Sequence, residues 1–409
     1  MRAPEHPSPA DRIEALDFVR GVAVLGILAI NITGFWGPTL SSFSPMIPRA
    51  EPGGAAWFAL AFVLFEGKMR ALFTLLFGAS MMLFCASVER RGRQPELMQA
   101  RRLLWLGVFG YAHYLLLWWG DILFPYALCG LLALGLRRIA QVTLAALGLS
   151  IFVLSHGAAM VGDLYGLAAE QRVLAGHASP AEVAEQAGMM QRIAASVADD
   201  VRILNAGFVE AVRLRWTTAP FLPFETTLST LTETFPLMLL GMALQTSGFF
   251  AGDWSERALR ALAIGTIGIG GALTLALLGW LVAHGWPPRA MFAALGSLGA
   301  LPHLLMALGY AAGLLLLWPR VADRALARRI VAAGRCAFTN YIGTTALMGA
   351  FFSGWGLGLG PEIPRAWLPL FVVTGWLAML AWPRWWLARF RQGPLEALWR
   401  RLTWLGVSR

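Results

Sequence analysis

Charged side chains are scarce in this chain of 409 residues, where Asp, Glu, Lys and Arg make up 14% and hydrophobic residues 57%. Soluble domains carry about 25% charged residues, so the scarcity excludes an ordinary soluble domain. Lysine is almost missing, because Lys68 is the single lysine among 33 basic residues. The net charge of +10 comes from arginine, and no polar basic domain carries it onto nucleic acid. The composition predicts a polytopic membrane protein without a nucleic-acid partner.

Cysteine is also rare, and Cys85, Cys129 and Cys336 all lie in apolar runs. This excludes a disulfide framework and the ligand spacing of a zinc site, so we expect no metal. P-loops, GxGxxG turns and the HExxH and GxSxG motifs do not occur in their required contexts, so no permanently bound cofactor is predicted. No cleavable signal peptide is predicted, because the first apolar run is too long and no small-residue cleavage pattern follows it.

Long apolar runs dominate what is present. A transmembrane helix needs about 20 mostly apolar residues. The runs therefore predict an all-α fold, a polytopic membrane bundle of about ten transmembrane helices. The predicted spans are 13–36, 69–88, 103–119, 122–136, 139–161, 231–250, 258–283, 290–318, 330–352 and 366–382. The run at 55–65 is too short to cross, so we predict an interfacial or re-entrant segment on the outer side.

Basic loops orient this bundle, because Lys and Arg concentrate on the cytoplasmic side. They predict a bacterial plasma (inner) membrane protein with both termini cytoplasmic. A long polar stretch interrupts the spans and is predicted to be an extracytoplasmic helical insert, in which Ser179 and Glu182 have the spacing of a capping box. The predicted segments are a cytoplasmic tail (1–12), a first bundle of five spans (13–161), the insert (162–225), a second bundle of five spans (226–383) and a basic amphipathic cytoplasmic tail (384–409).

The first span carries a polar face. Asp17 and Arg20 are three residues apart, so they share a helical face and can pair. Asn31 lies three turns beyond Arg20 on nearly the same face. Polar groups are costly inside a membrane, so this face is predicted to look into the protein, with Asp17 and Asn31 as candidate substrate-binding residues. The alternative is that Asp17 and Arg20 only anchor the helix at the cytoplasmic surface.

His113 and Asp121 are the candidate catalytic residues. His113 lies inside the third predicted span, about two turns from Asp121. A histidine in the membrane with an acid at the same mouth can act as a general base or a proton relay. Tyr111 beside it is a further candidate for substrate binding. The alternative is a histidine that bonds a backbone carbonyl and helps helices pack.

Other basic and polar residues are candidates for binding an anionic co-substrate and its acceptor. Lys68 and Arg70 stand where the chain enters the membrane from outside and can hold a phosphate, or they can snorkel to the interface. Arg335 and Asn340 make the cytoplasmic half of the ninth predicted span polar, which indicates a cavity. We therefore predict that Arg335, like Lys68 and Arg70, binds the anionic co-substrate and that Asn340 binds the substrate.

Five strings resemble the YeiB-like family, bacterial membrane proteins grouped as domain-of-unknown-function family 418. In chain order they are RIEALDFVRGVAVLGILAINI, EGKMRALFTLLFG, GYAHYLLLWWGDILFPYALCGLL, GRCAFTNYIG and GPLEALWRRLTW. They cover the chain from end to end, and their joint order is specific. That family resembles, more distantly, the transmembrane acyltransferase superfamily, which includes the lysosomal heparan glucosaminide N-acetyltransferase and bacterial surface-polysaccharide O-acetylases.

The distant resemblance implies that an acyl group passes from cytoplasmic acyl-CoA to a hydroxyl or amine on an extracytoplasmic glycan, lipid or small molecule. It implies that Arg20 meets the CoA phosphates. The O-acetylase motif, an arginine followed after ten residues by a histidine, has Asn31 in its last position here. Asparagine cannot act as a base near neutral pH, so His113 with Asp121 is the expected substitute, and Asn31 would orient the acceptor or the acyl carbonyl.

Two functions of other classes stay open. In a transporter or exporter of a small molecule or lipid, His113, Asp121, Arg20 and Asn31 would line a permeation path; no inverted repeat is visible, which weakens that interpretation. In a non-catalytic membrane subunit with a structural or sensory role, the extracytoplasmic insert would carry that role. Membrane lipids are expected partners in each case, and a homo-oligomer is compatible with each.

Overall fold

The computed structural model describes residues 9–360 and 362–406. In these ranges the backbone forms sixteen α-helices and two short 3-10 turns, Thr39–Ser42 and Arg365–Trp367, and no β-strand. The helices are α1 (Pro9–Trp36), α2 (Gly54–Leu64), α3 (Lys68–Glu89), α4 (Pro95–Leu116), α5 (Leu123–Gly135), α6 (Gln141–Leu174), α7 (Pro180–Asn205), α8 (Phe208–Thr218), α9 (Leu222–Thr246), α10 (Glu256–Ala283), α11 (Pro288–Leu295), α12 (Ser297–Val321), α13 (Ala325–Arg335), α14 (Ala337–Phe352), α15 (Leu368–Leu387) and α16 (Pro394–Thr403). The prediction of an all-α helical bundle is confirmed.

Seven stretches of the described chain are long and apolar enough to cross a membrane. They are Glu14–Trp36, Gly54–Glu89, Gln141–Leu174, Leu222–Thr246, Glu256–Ala283, Pro288–Val321 and Arg365–Leu387. The protein is therefore a polytopic membrane protein, but the predicted count of ten spans is not confirmed. The other three predicted spans correspond to α4, which begins with a charged turn, to α5, which has 13 residues, and to α13 and α14, which Cys336 separates.

Several helix ends differ from the predicted boundaries. Helix α1 begins at Pro9, inside the predicted cytoplasmic tail, while residues 1–8 of that tail lie outside the described part of the chain. Helix α6 runs on to Leu174, so one helix forms both the fifth predicted span and the start of the insert. Between α2 and α3 the chain turns at Gly67, whose φ of 69° favours glycine. The interfacial placement of α2 stays a prediction.

The segments predicted to lie outside meet at the C-terminal end of α1. There the indole of Trp36 donates to the carbonyl of Ile363 at 2.7 Å, and the amide of Thr39 donates to the carboxylate of Asp200 in α7 at 2.9 Å. At the opposite end, the indole of Trp399 in α16 donates to the carbonyl of Arg102 in α4 at 2.8 Å. The insert and the C-terminal amphipathic helix therefore close opposite ends of the bundle.

Glycines bring two pairs of helices into backbone contact. A Cβ on Gly241 of α9 would overlap the carbonyl oxygen of Leu75 in α3, and a Cβ on Gly78 of α3 would overlap that of Met238. Helices α1 and α13 make the same kind of contact through Gly21 and Gly334. Small residues allow this approach in membranes, where packing rather than hydrophobic burial associates helices. The contact of α1 with α13 brings their polar ends to the same side of the bundle.

The insert begins α7 with the predicted capping box. The backbone amide of Glu182 donates to Oγ of Ser179 at 3.3 Å, and the carboxylate of Glu182 accepts from the amide of Ser179 at 2.8 Å. Arg172 at the end of α6 also donates to this carboxylate, at 3.0 Å. These hydrogen bonds, with that of Arg172 first, lower the pKa of Glu182 from its ordinary 4.5 to about 2.

We expect acid to loosen the start of α7 through this residue. The lowered pKa means that the carboxylate contributes its full stabilisation above pH 4.5 and loses it as the pH falls towards 2. Hydrogen exchange of the first turn of α7 in purified protein, corrected for the intrinsic rate, should rise between pH 5 and pH 3 in the native chain. In Glu182→Gln, which cannot titrate, this pH dependence should vanish; an equal rise in both proteins would contradict the assignment.

Candidate active site

His113 and Asp121 form a buried pair where α4 gives way to α5. His113 Nδ1 lies 2.8 Å from Asp121 Oδ1, and the two side chains are 1% and 2% exposed. The second oxygen, Oδ2, accepts from the amide of Phe124 in the first turn of α5 at 2.7 Å. An ionised carboxylate only accepts, so Nδ1 carries the proton that it donates to Asp121. In a neutral ring this arrangement leaves the lone pair on Nε2.

Nε2 of His113 is buried and finds no hydrogen-bond partner within the described residues. A buried polar atom without a partner costs about 1–3 kcal/mol, so such atoms concentrate at sites with a task. The ring of His113 lies against that of Tyr341 in α14, with centroids 5.0 Å apart. The Tyr341 hydroxyl donates to the carbonyl of Gly120 at 3.1 Å, which fixes the ring. His113 thus bonds the carboxylate of Asp121 and not a backbone carbonyl, while its role in packing helices or in catalysis stays a prediction.

A cavity of about 370 Å³ lies between α1, α3, α4, α5, α13, α14 and α16. Its volume falls within the range of small-molecule sites, about 300–1,000 Å³. It reaches the protein surface at Arg335, which is exposed, and ends inside the bundle at Ile122, Tyr126 and Tyr341. His113 does not line it: the ring of Tyr341 stands against both the cavity and the histidine. The catalytic candidates therefore lie directly behind the inner wall of the cavity.

Three guanidinium groups line this cavity, those of Arg20, Arg102 and Arg335. Arg20 pairs with Asp17 at 2.5 Å and donates to Ser80 of α3 at 3.1 Å. The predicted pairing of Asp17 with Arg20 is confirmed, and Arg20 faces the protein interior. Arg335 donates to the carbonyl of Arg391 at 3.0 Å and forms no ion pair within 4.0 Å among the described residues.

Glu396 of α16 lies in the cavity wall, and its carboxylate is hydrogen-bonded to the first turn of α14. Its carboxylate accepts from the amides of Phe338 and Thr339, at 2.8 and 3.1 Å, in the first turn of α14. It also accepts from Oγ1 of Thr339 at 2.5 Å. Burial raises the pKa of this carboxyl, and the hydrogen bonds of Thr339 oppose the shift. The cavity consequently keeps an excess of positive charge.

Lys68 and Arg70 do not join Arg20 and Arg335. Lys68 is fully buried and its ammonium donates to the carbonyl of Phe62 in α2 at 2.6 Å. Arg70 binds Glu233 of α9 through both carboxylate oxygens, at 2.8 and 3.1 Å. Each cation thus has a partner inside the bundle and holds neighbouring helices together. Lys68 does not snorkel to an interface.

Two of the candidate substrate-binding residues are bound within the protein. Asn340 bridges helices, because its Nδ2 donates to the carbonyl of Ala333 at 3.1 Å and its Oδ1 accepts from the indole of Trp382 at 2.7 Å. The hydroxyl of Tyr111 donates to the carbonyl of Pro220, at 3.1 Å, just before α9. Neither residue lines the large cavity.

Asn31 lines a second, very small cavity of about 10 Å³. Tyr341 lines this cavity too, so the tyrosine stands between the Arg20 end and the Asn31 end of the polar face of α1. Arg20 and Asn31 therefore flank the same residue from two sides but share no open space. The wall of the small cavity also includes the hydroxyl-bearing Thr344 and Thr345 of α14.

Sequence reasoning missed Arg102, Gln99 and Trp399, which all line the large cavity. In the sequence, Arg102 stands next to Arg101 in the run of arginines after residue 89, a pattern that predicts a cytoplasmic basic loop. Its neighbour Arg101 fits that role, since it donates to the carbonyl of Leu405 near the end of α16. Consecutive residues of a helix point about 100° apart, so one arginine of the pair faces inward. The spacing of Arg102 and Trp399, 297 residues apart, carries no sequence signal.

Comparison with known proteins places the chain among bacterial relatives. The family model described as "Protein of unknown function (DUF418)" matches residues 244–406. The chain is 31% identical to "Uncharacterized protein YeiB" of Escherichia coli (strain K12), over 96% of each chain. It is 27% identical to "Uncharacterized protein YxaH" of Bacillus subtilis (strain 168), over 97% of this chain and 95% of the relative. No solved structure matches it.

Proposed function

This chain belongs to the DUF418 family, and we propose that it is an acyltransferase-like enzyme of the bacterial plasma membrane, with both termini in the cytoplasm. In this proposal it moves an acyl group from cytoplasmic acyl-CoA to an extracytoplasmic hydroxyl or amine. The observation that carries the proposal is the cavity lined by arginine, whose inner wall, Tyr341, packs on the ring of His113.

The donor would enter from the end of the bundle that α16 covers. There the cavity opens at Arg335 and holds Arg20 deeper in the wall, so both ends of an anionic headgroup would meet guanidinium donors. The part of the cavity wall that α3 forms is apolar, with Phe73, Leu76 and Phe77, and it suits an acyl chain. The thioester would then lie towards Tyr341.

His113 would act as the general base on the acceptor. Nε2 takes the proton of the attacking hydroxyl as its oxygen bonds the thioester carbon, and the carbon–sulfur bond breaks to release the thiolate, which takes up that proton. Asp121 stabilises the imidazolium that forms in between. The thioester in the cavity reaches the acceptor at Nε2 only if Tyr341 moves, because its ring separates the cavity from the histidine.

Binding of oleoyl-CoA and acetyl-CoA to the purified protein in nanodiscs tests this function. We expect saturable binding and release of free CoA thiol when a lipid and glycan extract supplies acceptors. Arg20→Ala should weaken binding about 30-fold or more, since truncating one partner of a partly buried charge pair costs about 2 kcal/mol or more. Titration with radiolabelled acyl-CoA measures this.

Arg138→Ala is the matched control, because it removes the same charge from a side chain that is 76% exposed and lies outside the cavity. Its affinity should equal that of the native chain. If neither acyl-CoA binds and vesicles containing the protein instead show flux of a labelled lipid or solute, the protein is a transporter and not an acyltransferase.

A further inference from the structure

The guanidinium of Arg102 is held between two aromatic rings. Its central carbon lies 4.2 Å from the ring centre of Trp399 in α16 and 4.7 Å from that of Phe84 in α3. Such stacking fixes the plane of the guanidinium without using its N–H groups. Within the described residues no carboxylate pairs with Arg102. The half-buried guanidinium of Arg102 is therefore held rigidly, and its N–H groups remain available to donate to a ligand.

Gln99, one helical turn before Arg102 along α4, supplies a second and independent sign of a ligand. Its side chain is 1% exposed and lines the same cavity, and its Oε1 is buried without a hydrogen-bond partner. Ser80 of α3, which accepts from Arg20, also lines the cavity. Polar groups of α1, α3 and α4 therefore line the same cavity. Buried donors and acceptors are normally paired, and Oε1 of Gln99 only accepts, so it indicates an absent N–H or O–H donor of a ligand that lies beside the anionic group.

The charges show what kind of group fits. Arg20, Arg102 and Arg335 line the cavity, and only Arg20 has a carboxylate partner, Asp17. Glu396 caps α14 and is engaged there. Hydrogen bonds do not cancel the charge of a carboxylate, so Asp17 and Glu396 offset two of the three guanidinium groups; the remaining net charge of about +1 favours an anionic group. Phosphate meets this demand and accepts bidentate bonds from the arginine fork.

We propose that Arg102, clamped between Phe84 and Trp399, is the receptor for the phosphate of an acyl-bearing amphiphile in this cavity. The phosphate would accept from Arg102 and Arg20, and the hydrocarbon would lie along Phe73, Leu76 and Phe77. This rests on the proposed function and names the residue that selects its donor. Acyl-CoA and an anionic phospholipid share this chemistry, so the experiment separates the two sources.

Competition binding in nanodiscs of zwitterionic lipid provides the test, with radiolabelled oleoyl-CoA and dioleoyl phosphatidic acid as the probes. Arg102→Ala should weaken binding of the preferred probe about 30-fold, and Arg102→Lys, which keeps the charge without the fork, should weaken it less. Arg101→Ala is the control: the neighbouring guanidinium bonds Leu405 outside the cavity, so affinity should change by less than about twofold.

The rise in unfolding temperature on adding ligand distinguishes a binding role from a structural one. Arg102→Ala loses its stacking on Phe84 and Trp399 in either case, but only the loss of a binding residue removes the rise that a saturating probe produces in the native chain. If oleoyl-CoA alone competes, the donor is a CoA thioester; if phosphatidic acid alone competes, it is a lipid. Native affinity of Arg102→Ala for both probes, or binding of neither by the native chain, overturns the proposal. Binding through Arg102 without any acyl transfer would instead refute the proposed function and leave this site standing.

Discussion

Replacing His113 by alanine is expected to lower acyl transfer by about 10²–10⁴-fold, the usual contribution of a positioned general base. The variant loses Nε2, which is buried without a hydrogen-bond partner within the described residues, while the donor site at Arg20 and Arg102 stays intact. The rate of thioester consumption at saturating oleoyl-CoA should fall, and the dissociation constant of the donor should not change. Both are measured on the same nanodisc preparation.

Asp121→Asn refines the test, because a carboxamide can turn its NH₂ towards Nδ1 and place the proton on Nε2. It should lose most of the activity that His113→Ala loses. His284→Ala is the control, since His284 is exposed and bonds only the carbonyl of Trp280 in the preceding turn. Full acyl turnover by His113→Ala would remove the histidine from the mechanism, whatever the donor affinity.

Gly241→Ala should destabilise the bundle by about 1–3 kcal/mol, the typical cost of overpacking a close contact. The new Cβ would meet a backbone oxygen, that of Leu75, which cannot rotate away as a side chain can. Helices α3 and α9 must then separate, and Gly78, packed on Met238 across the same contact, leaves its neighbour too. Unfolding of purified protein by increasing SDS, followed by circular dichroism, measures the loss.

Gly265→Ala supplies the comparison for this substitution. Gly265 lies in α10, another long apolar helix, and nothing lies within 4 Å of a Cβ built there. Alanine favours helix by up to about 1 kcal/mol over glycine, so this variant should be as stable as the native chain or more so. Equal unfolding curves for the two variants would show that the backbone contact between α3 and α9 does not limit packing.

The sequence predicted the parts of the site that depend on short separations. Asp17 with Arg20 and Ser179 with Glu182 are three residues apart, so helix geometry alone brings each pair together. His113 and Asp121 are eight residues apart, and the chain leaves α4 after Leu116 and turns so that the carboxylate meets the ring. All three pairs are hydrogen-bonded in the structure. The all-α fold followed from the length of the apolar runs, which needs no tertiary information.

Long-range contacts could not be predicted in this way. Trp399 reaches Arg102 across 297 residues, and Glu396 reaches Thr339 across 57. The break at Cys336, within the ninth predicted span, depends on the second of these contacts. Ending one helix and starting another leaves free amides at 338 and 339, and only a distant acid satisfies them. The spacing of apolar residues along the sequence does not indicate such a distant partner.

The buried position of Lys68 has a practical consequence for chemistry performed on this protein. It is the single lysine of the chain, and its ammonium lies against Phe62 with no contact to solvent. The folded bundle therefore offers no lysine amine to succinimidyl esters, to formaldehyde or to lysine-directed conjugation. Any probe that needs a side-chain handle must use a cysteine introduced on the surface, since Cys85, Cys129 and Cys336 are equally buried.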